Sequence, residues 1–326
     1  MNDTQATTTR KLITISIPVF NEEGNIDGLL RRIGAVAEKN ADYDFELLFT
    51  DNCSTDNTFA KLAEHASCDA RIRVLRFSRN FGFQRSILTN LLNSKGAAAI
   101  LIDADLQDPP ELVTDFLRHW ERGYKVVYGI RRRRVENPLM QLARRAHYRL
   151  IQALSETDVP LGAGDFRLVD RIVIEDLRTY TDKTPYLRGI IASIGYPQIG
   201  IPYDRSDRVV GKTKFNLQDL IRLSFDGICS QSTKPLQYIT LFGFITSIMS
   251  LLLIVIYLIE YFISDSRGAR GFTTLVLLVL VSISINAIFI GLIGEYVGRI
   301  YNNVRGGPPT IIADRIEPAL NQKQGQ

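Results

Sequence analysis

The chain is 326 residues long, 45% hydrophobic and 23% charged, and its 39 lysines and arginines against 35 aspartates and glutamates leave a net charge of +4. That is the composition of a folded protein, and it excludes the collagen-like, low-complexity and disordered classes. So mild a charge suits a chain near an anionic surface but does not by itself argue for nucleic acid.

Taken in chain order, Met1 to Arg10 is polar and lacks an apolar core. It therefore does not read as a secretory signal, and the domain that follows is expected to stay in the cytosol. From Leu12 strand and helix signals alternate. Leu12 to Val19 predicts a strand and Asn25 to Glu38 a helix. Phe45 to Thr50 predicts a second strand, with a helix running to His65. Ile72 to Phe77 is followed by a helix over Gln84 to Asn93. Ala97 to Asp103 is followed by a helix over Pro109 to Arg122, and Val126 to Tyr128 predicts a short fifth strand. Such alternation predicts βαβ units and a parallel sheet covered on both faces. Ligands of such sheets bind outside the carboxyl ends of the strands.

Further on, Pro138 to Leu154 places Leu139, Leu142, Ala143, Ala146, Leu150 and Leu154 on one helical face, with Arg144, Arg145 and Arg149 away from it. Phe215 to Ile228 repeats the theme with Leu217, Leu220, Ile221, Phe225 and Ile228. Both read either as helices lying in a membrane interface or as helices packed on the sheet. Leu236 to Ile259 and Gly271 to Gly294 contain no charged residue. Each exceeds the ~20 residues that cross a bilayer as a helix, so a hairpin of two transmembrane helices is expected at about 236–262 and 271–297. The polar link Glu260 to Arg270 would then lie outside. Gly291, Gly294 and Gly298 are spaced for close helix packing, which makes a homo-oligomer plausible. The resulting organisation is a cytosolic domain over 1–228, a membrane hairpin over 229–300 and a cytosolic tail over 301–326.

Cys53, Cys68 and Cys229 are an odd number without CxxC spacing, which argues against a disulfide framework or structural zinc. His65, His119 and His147 show no ligand spacing and read as surface or packing residues. The strand ends carry more information. The first leads into Pro18-Val19-Phe20-Asn21-Glu22-Glu23, the second into Asp51-Asn52-Cys53-Ser54-Thr55-Asp56, the fourth into Asp103-Ala104-Asp105-Leu106-Gln107-Asp108. Asp103 and Asp105 lie two apart at a strand end, where both carboxylates can approach one hard divalent cation, with Gln107 able to add an oxygen. A lone D-x-D also occurs in solvated loops, so the pair is weak evidence alone. Asp108, before Pro109, reads as a helix cap, as do Ser54 and Asp56.

Seven segments in order make the pattern specific: IPVFNEEGNI (Ile17 to Ile26), TDNCSTDNT (Thr50 to Thr58), FSRNFGFQ (Phe77 to Gln84), DADLQDPPE (Asp103 to Glu111), YGIRRRR (Tyr128 to Arg134), GAGDFRL (Gly162 to Leu168) and GKTKF (Gly211 to Phe215). From Leu12 to about Ile228 the chain resembles a family 2 glycosyltransferase. The resemblance is closest to the branch of dolichyl-phosphate mannose synthases and bacterial polyprenyl-phosphate glycosyltransferases, which carries C-terminal membrane helices. It implies an α/β GT-A fold, Rossmann-like with a mostly parallel sheet, plus two transmembrane α-helices. By the same resemblance, Pro18, Phe20, Glu22 and Asp51 hold the nucleotide. Asp103, Asp105 and Gln107 bind Mg²⁺ or Mn²⁺ and the diphosphate, with Ala104 in backbone contact. Asp165 stands where the family places its catalytic or acceptor-facing carboxylate, with Asp105 also catalytic. Arg131 and Lys212 stand where basic residues meet phosphates.

The expected reaction is inverting transfer of a hexose, best read as glucose from UDP-glucose, to an undecaprenyl or dolichyl phosphate at a bacterial inner membrane, as in cell envelope glycosylation. A phosphate monoester is largely deprotonated near neutral pH, so Asp165 is expected to orient substrate or stabilise a cationic group rather than remove a proton. Arg132 to Arg134 read as membrane-surface contacts rather than a nucleic-acid patch. Two alternatives stay open, another acceptor for a family 2 transferase and a non-catalytic lipid-binding or flippase-associated scaffold, whereas a processive polysaccharide synthase is rejected. The synthase requires a Q-x-x-R-W motif, and the single tryptophan, Trp120, follows a histidine. Gly211-Lys212-Thr213 is not a P-loop, because Ser206 stands where its first glycine belongs. Gly162-Ala163-Gly164 lacks the third glycine of a dinucleotide fingerprint.

Overall fold

The long apolar runs become the centre of a sheet. In a computed structural model that describes residues 10–132, 163–180, 182, 185–205, 233–263, 272–305 and 307–318, β1 (Lys11–Val19) and β2 (Tyr43–Asp51) pair in parallel, with Val19 opposite Asp51. Between them runs α1 (Ile26–Lys39), whose Ile26, Leu29, Ile33 and Val36 recur at helical spacing and are all buried. After α2 (Thr58–Cys68), β3 (Ile72–Phe77) joins β2; after α3 (Phe83–Asn93), β4 (Ala98–Leu101) joins the other side of β1. A 3₁₀ turn at Pro110–Leu112 leads into α4 (Val113–Glu121), and β5 (Val126–Arg131) follows.

The rest of the sheet departs from the all-parallel expectation. β6 (Ala163–Asp170) is antiparallel and sits between β4 and β5. Two short helices, α5 (Arg171–Leu177) and α6 (Leu187–Ser193), precede β7 (Gln198–Tyr203), which pairs in parallel with β5. Among the described residues the sheet has eight strands in the order β7-β5-β6-β4-β1-β2-β3-β8. It is α/β and mixed, as in GT-A folds. The last of these, β8 (Ile312–Ile316), corrects the reading of 301–326 as a mere tail. It pairs antiparallel with β3, Val74 opposite Ile316. No long apolar run announces it, because it is a short edge strand whose central residues stay exposed.

Both faces of the sheet are covered, as expected. Ile13, Ile15 and Ile17 pack with Leu29 and Ile33 of α1, Leu62 of α2 and Phe116 of α4. The opposite face carries Ile87 and Leu91 of α3, Val173 and Ile174 of α5, and Ile190 and Ile191 of α6. Burying each such side chain stabilises the fold by about 1.5–3 kcal/mol. One buried seam is polar. Arg73 is bonded to Glu46 inside the sheet and to Glu317 beyond β8, with Nε–Oε2 of the latter pair at 2.8 Å. Glu46 also accepts from Thr14 Oγ1 at 2.5 Å and from the Lys95 amide at 3.0 Å. The charge at Arg73 is thereby satisfied, and the strand after the last helix is tied to the interior.

A second compact unit contains α7 (Lys234–Ile263) and α8 (Phe272–Val304). They cover the two helices expected at about 236–262 and 271–297, and α8 runs longer. Phe242 and Phe289 meet edge to face at 5.7 Å, and Asn286 Nδ2 donates to Ser282 O within its own helix at 2.8 Å. Val281–Val304 is long and apolar enough to cross a membrane. The predicted interfacial helices at 138–154 and 215–228, together with Arg133, Arg134 and Lys212, lie outside the described residues.

Candidate active site

The carboxyl ends of β1, β2 and β4 form one rim, since β1 lies between the other two. The loops after β1 and β2 are knitted together reciprocally. Asn21 N donates to Ser54 Oγ at 2.9 Å and Thr55 N to Asn21 Oδ1 at 2.8 Å. Glu23 N donates to Asp56 Oδ2 at 3.3 Å and Asn57 N to Glu23 Oε2 at 2.9 Å. Asp56 Oδ1 also accepts from Thr58 N at 3.0 Å, but the N-cap position of α2 is Asn57, so Asp56 stands one residue before the cap expected of it. Ser54 does not cap; its hydroxyl serves the β1 loop instead. Asn21, Cys53 and Leu106 have positive φ of 56°, 63° and 59°. Left-handed non-glycine residues cost free energy and collect at functional sites, and here one stands after each of the three rim strands.

On this rim the expected nucleotide-contacting residues fall as follows. Pro18 lies opposite Thr50, one residue before the end of β1, and Phe20 is 43% exposed. Glu22 accepts from Asn25 Nδ2 at 2.6 Å. Asp51 is fully buried; its Oδ1 accepts from Ser54 N at 3.0 Å and its Oδ2 lies 3.4 Å from Arg76 Nε. Beside it Asn52 Nδ2 donates a hydrogen bond to Asn80 Oδ1 at 2.9 Å, and Phe81 N donates to Asn52 Oδ1 at 2.8 Å, which holds the FSRNFGFQ segment against the rim.

At the end of β4 the acidic residues converge. Asp103 Oδ1 is buried and accepts no hydrogen bond. Burial, then the charges of Asp108, Asp165 and Asp105, push its pKa up to about 7, with Arg131 opposing. Asp105 Oδ1 accepts from Gln107 N at 3.1 Å, while Oδ2 has the Arg205 guanidinium at 3.7 Å. Ala104 is buried between the two. The loop is pinned from α1 by Arg32, which donates to Leu106 O at 3.3 Å and to both carboxylate oxygens of Glu111 at 3.1 and 2.7 Å.

Asp108 is corrected. It makes no cap bond to the following helix; it is fully buried and accepts from Tyr203 OH at 2.5 Å and Arg205 Nε at 3.1 Å. Arg131 Nη2 lies 3.4 Å from its other oxygen. Proline after an aspartate is a fair local signal for a cap, but two tertiary cations and a phenol outcompete it. Arg131 also donates to Tyr203 OH at 3.2 Å. Burial works against its charge, and Asp108, Tyr203 and Asp103 together more than offset this, raising its pKa. Two glycines make room. A Cβ on Gly129 would meet the Tyr203 ring at 2.6 Å, and one on Gly164 would meet the Arg131 guanidinium at 3.1 Å.

Asp165 reaches the same place from β6. The ladder pairs Ala98 with Asp170 and Leu101 with Arg167. Carried two residues further, it brings Asp165 level with Asp103. Both Asp165 oxygens are taken by Arg188 of α6, with Nε–Oδ1 at 2.8 Å and Nη2–Oδ2 at 2.6 Å. Burial pushes Asp165 upward, but the Arg188 bonds and charge, with the charges of Arg167 and Arg131, outweigh it and hold the carboxyl below its usual range. A carboxylate so held is a poor proton acceptor and a well-fixed anion, which agrees with an orienting role. Arg188, Tyr203, Arg205, Asn52 and Asn80 were not singled out in the sequence. Arg188 and Arg205 lie outside the seven segments, and nothing in their neighbourhoods foretells their partners.

The family model described as "Glycosyl transferase family 2" matches residues 14–178. The "Uncharacterized glycosyltransferase YkcC" of Bacillus subtilis (strain 168) is 36% identical over 300 residues, covering 92% of each chain. The "SfII prophage-derived bactoprenol glucosyl transferase" of Shigella flexneri is 32% identical over 301 residues, covering 92% of this chain and 97% of its own. Among solved structures, the mannosyltransferase PcManGT from Pyrobaculum calidifontis, in complex with GDP-Man and Mn²⁺, superposes with a TM-score of 0.51 at 18% identity over 89% of this chain and 88% of its own, a likeness of fold. With its mixed sheet, its acidic rim and these relatives, the chain is a glycosyltransferase and belongs to glycosyl transferase family 2.

Proposed function

We propose that this glycosyltransferase moves glucose from UDP-glucose to a polyisoprenyl phosphate at a membrane surface, with inversion at the anomeric carbon. The observation that carries the reading is the similarity to a bactoprenol glucosyl transferase along 92% of the chain, reaching through both long helices. In support, Leu236–Ile259 of α7 is free of charge and Val281–Val304 of α8 is apolar enough to span, so the two form a membrane hairpin that keeps the enzyme beside a lipid acceptor. The catalytic domain faces the cytosol, and Arg131 and Lys212 meet phosphates.

Asp103 and Asp105 suit a divalent cation, Mg²⁺ or Mn²⁺. Both present hard oxygens, and the buried Asp103 Oδ1 has no hydrogen-bond donor. The Gln107 side chain is the third candidate ligand. When bound, such an ion supplies positive charge to the departing nucleoside diphosphate. The remaining work falls to the chain. Pro18, Phe20, Glu22 and Asp51 seat the nucleotide, and Ala104 lets the backbone approach the diphosphate. Asp165, fixed by Arg188, orients the sugar or the acceptor. An acceptor phosphate oxygen attacks the anomeric carbon as the bond to the nucleoside diphosphate breaks, and one displacement inverts the centre.

The test is transfer of labelled sugar from a panel of nucleotide sugars to polyprenyl phosphate by the purified full chain, with Mg²⁺ or Mn²⁺ and with EDTA. Labelling of organic-extractable lipid from UDP-glucose, abolished by EDTA, is the expected outcome. Absence of lipid labelling from every donor, with folded protein and accessible lipid, overturns it.

A further inference from the structure

Arg205 follows the end of β7 and inserts one guanidinium between two carboxylates of the site. Nε donates to Asp108 Oδ1 at 3.1 Å and Nη2 stands 3.7 Å from Asp105 Oδ2. The two contacts are unequal. Asp108 is fully buried, with Tyr203 and Arg131 as further partners, so that end is anchored. Asp105 is at the looser end, and its Oδ2 is the oxygen that would otherwise face a cation. The neighbourhood is rich in negative charge: Asp105, Asp108 and Asp165 all act on Asp103 there. Arg131 and Arg188 are committed to Asp108 and Asp165. Arg205 is a cation that reaches Asp105 from among the described residues, and its side chain is only 30% exposed.

We infer that Arg205 is a built-in placeholder for the divalent cation, neutralising Asp105 until the ion arrives and then yielding that oxygen while keeping Asp108. The inference rests on the metal reading of Asp103 and Asp105 given above. An ion on Asp105 Oδ2 and the guanidinium 3.7 Å from it repel one another, so binding of the ion favours withdrawal of the guanidinium. Arg205 therefore weakens metal binding in the absence of nucleotide and keeps the acidic rim from standing uncompensated.

The experiment is Mn²⁺ binding to the full chain in detergent, without nucleotide, read by the electron paramagnetic resonance of the free ion. The wild type is compared with Arg205→Gln, Arg205→Lys and Asp103→Asn, each checked for folding by its melting temperature. Arg205→Gln is expected to bind Mn²⁺ about fivefold more tightly. Arg205→Lys, which keeps the charge, is expected to stay near wild type, and Asp103→Asn to lose binding. A variant that merely loosened the site would bind more weakly, so tightening is specific to displacement of a competing cation. Unchanged or weaker binding in a folded Arg205→Gln, with Asp103→Asn defective, overturns the placeholder role alone. Wild-type binding in Asp103→Asn overturns the metal site and the placeholder together.

Discussion

Asp103 and Asp165 stand side by side and are treated oppositely. Asp103 is raised to about 7 by burial and by its acidic neighbours, whereas Asp165 is lowered because Arg188, with Arg167 and Arg131, outweighs its burial. For Asp103 the folded state holds the proton more tightly than the unfolded chain. Its stabilising contribution is therefore complete below about pH 4 and disappears as pH rises through about 7. In EDTA, the melting temperature of wild type is expected to fall across that window relative to Asp103→Asn, and added Mn²⁺ to restore it most strongly at the upper end. Asp165 depends on a partner. Arg188→Ala leaves a buried carboxylate without its fork, so it is expected to cost about 1–3 kcal/mol in thermal unfolding. It is also expected to slow sugar transfer about a hundredfold through misplacement of Asp165.

At the scale of elements, β1 to β4 were legible because each is an apolar run followed by an amphipathic helix, and their predicted limits fall close to the observed ones. β6 was visible only as a motif. Its eight residues include Asp165, Arg167 and Asp170, which argue locally against a buried strand. The partners of the two aspartates come from elsewhere: Arg188 for Asp165, Trp120 Nε1 at 2.7 Å and Lys125 at 3.0 Å for Asp170. The same reason hid the true place of Asp108 and the roles of Arg188 and Arg205, since pairing across the sheet leaves no mark on sequence spacing. The D-x-D pair and Asp165 were found because strand ends and family motifs are short-range signals. β8 depends on the seam at Arg73. Arg73→Met leaves Glu46 buried without its cation and is expected to cost about 3–5 kcal/mol, read as a lowered melting temperature of the catalytic unit. Glu317→Ala, on the exposed side of the same arginine, is expected to cost about 1 kcal/mol or less.

For the whole molecule, the sequence disclosed two units and the order of their parts but placed the boundary too simply. The catalytic unit takes its last strand from beyond α8, so a cut at the end of the helices does not separate catalytic from membrane parts. If the two helices act as the proposed hairpin, the full chain remains in the pellet of alkaline-washed membranes and enters solution only with detergent. Release by high salt or carbonate alone would show instead that it is peripheral.

The position of β8 also sets a schedule for synthesis. β3 is made early, yet its edge partner follows the two long apolar helices and leaves the ribosome only after them. Until then the β3 edge and the outer side of Arg73 wait without Ile312–Ile316 and Glu317. The helices emerge before the sheet can be finished, so the domain is completed only on chains already translated past them. A nascent chain arrested before Ile312 carries every residue proposed for chemistry and still lacks the eighth strand of its sheet.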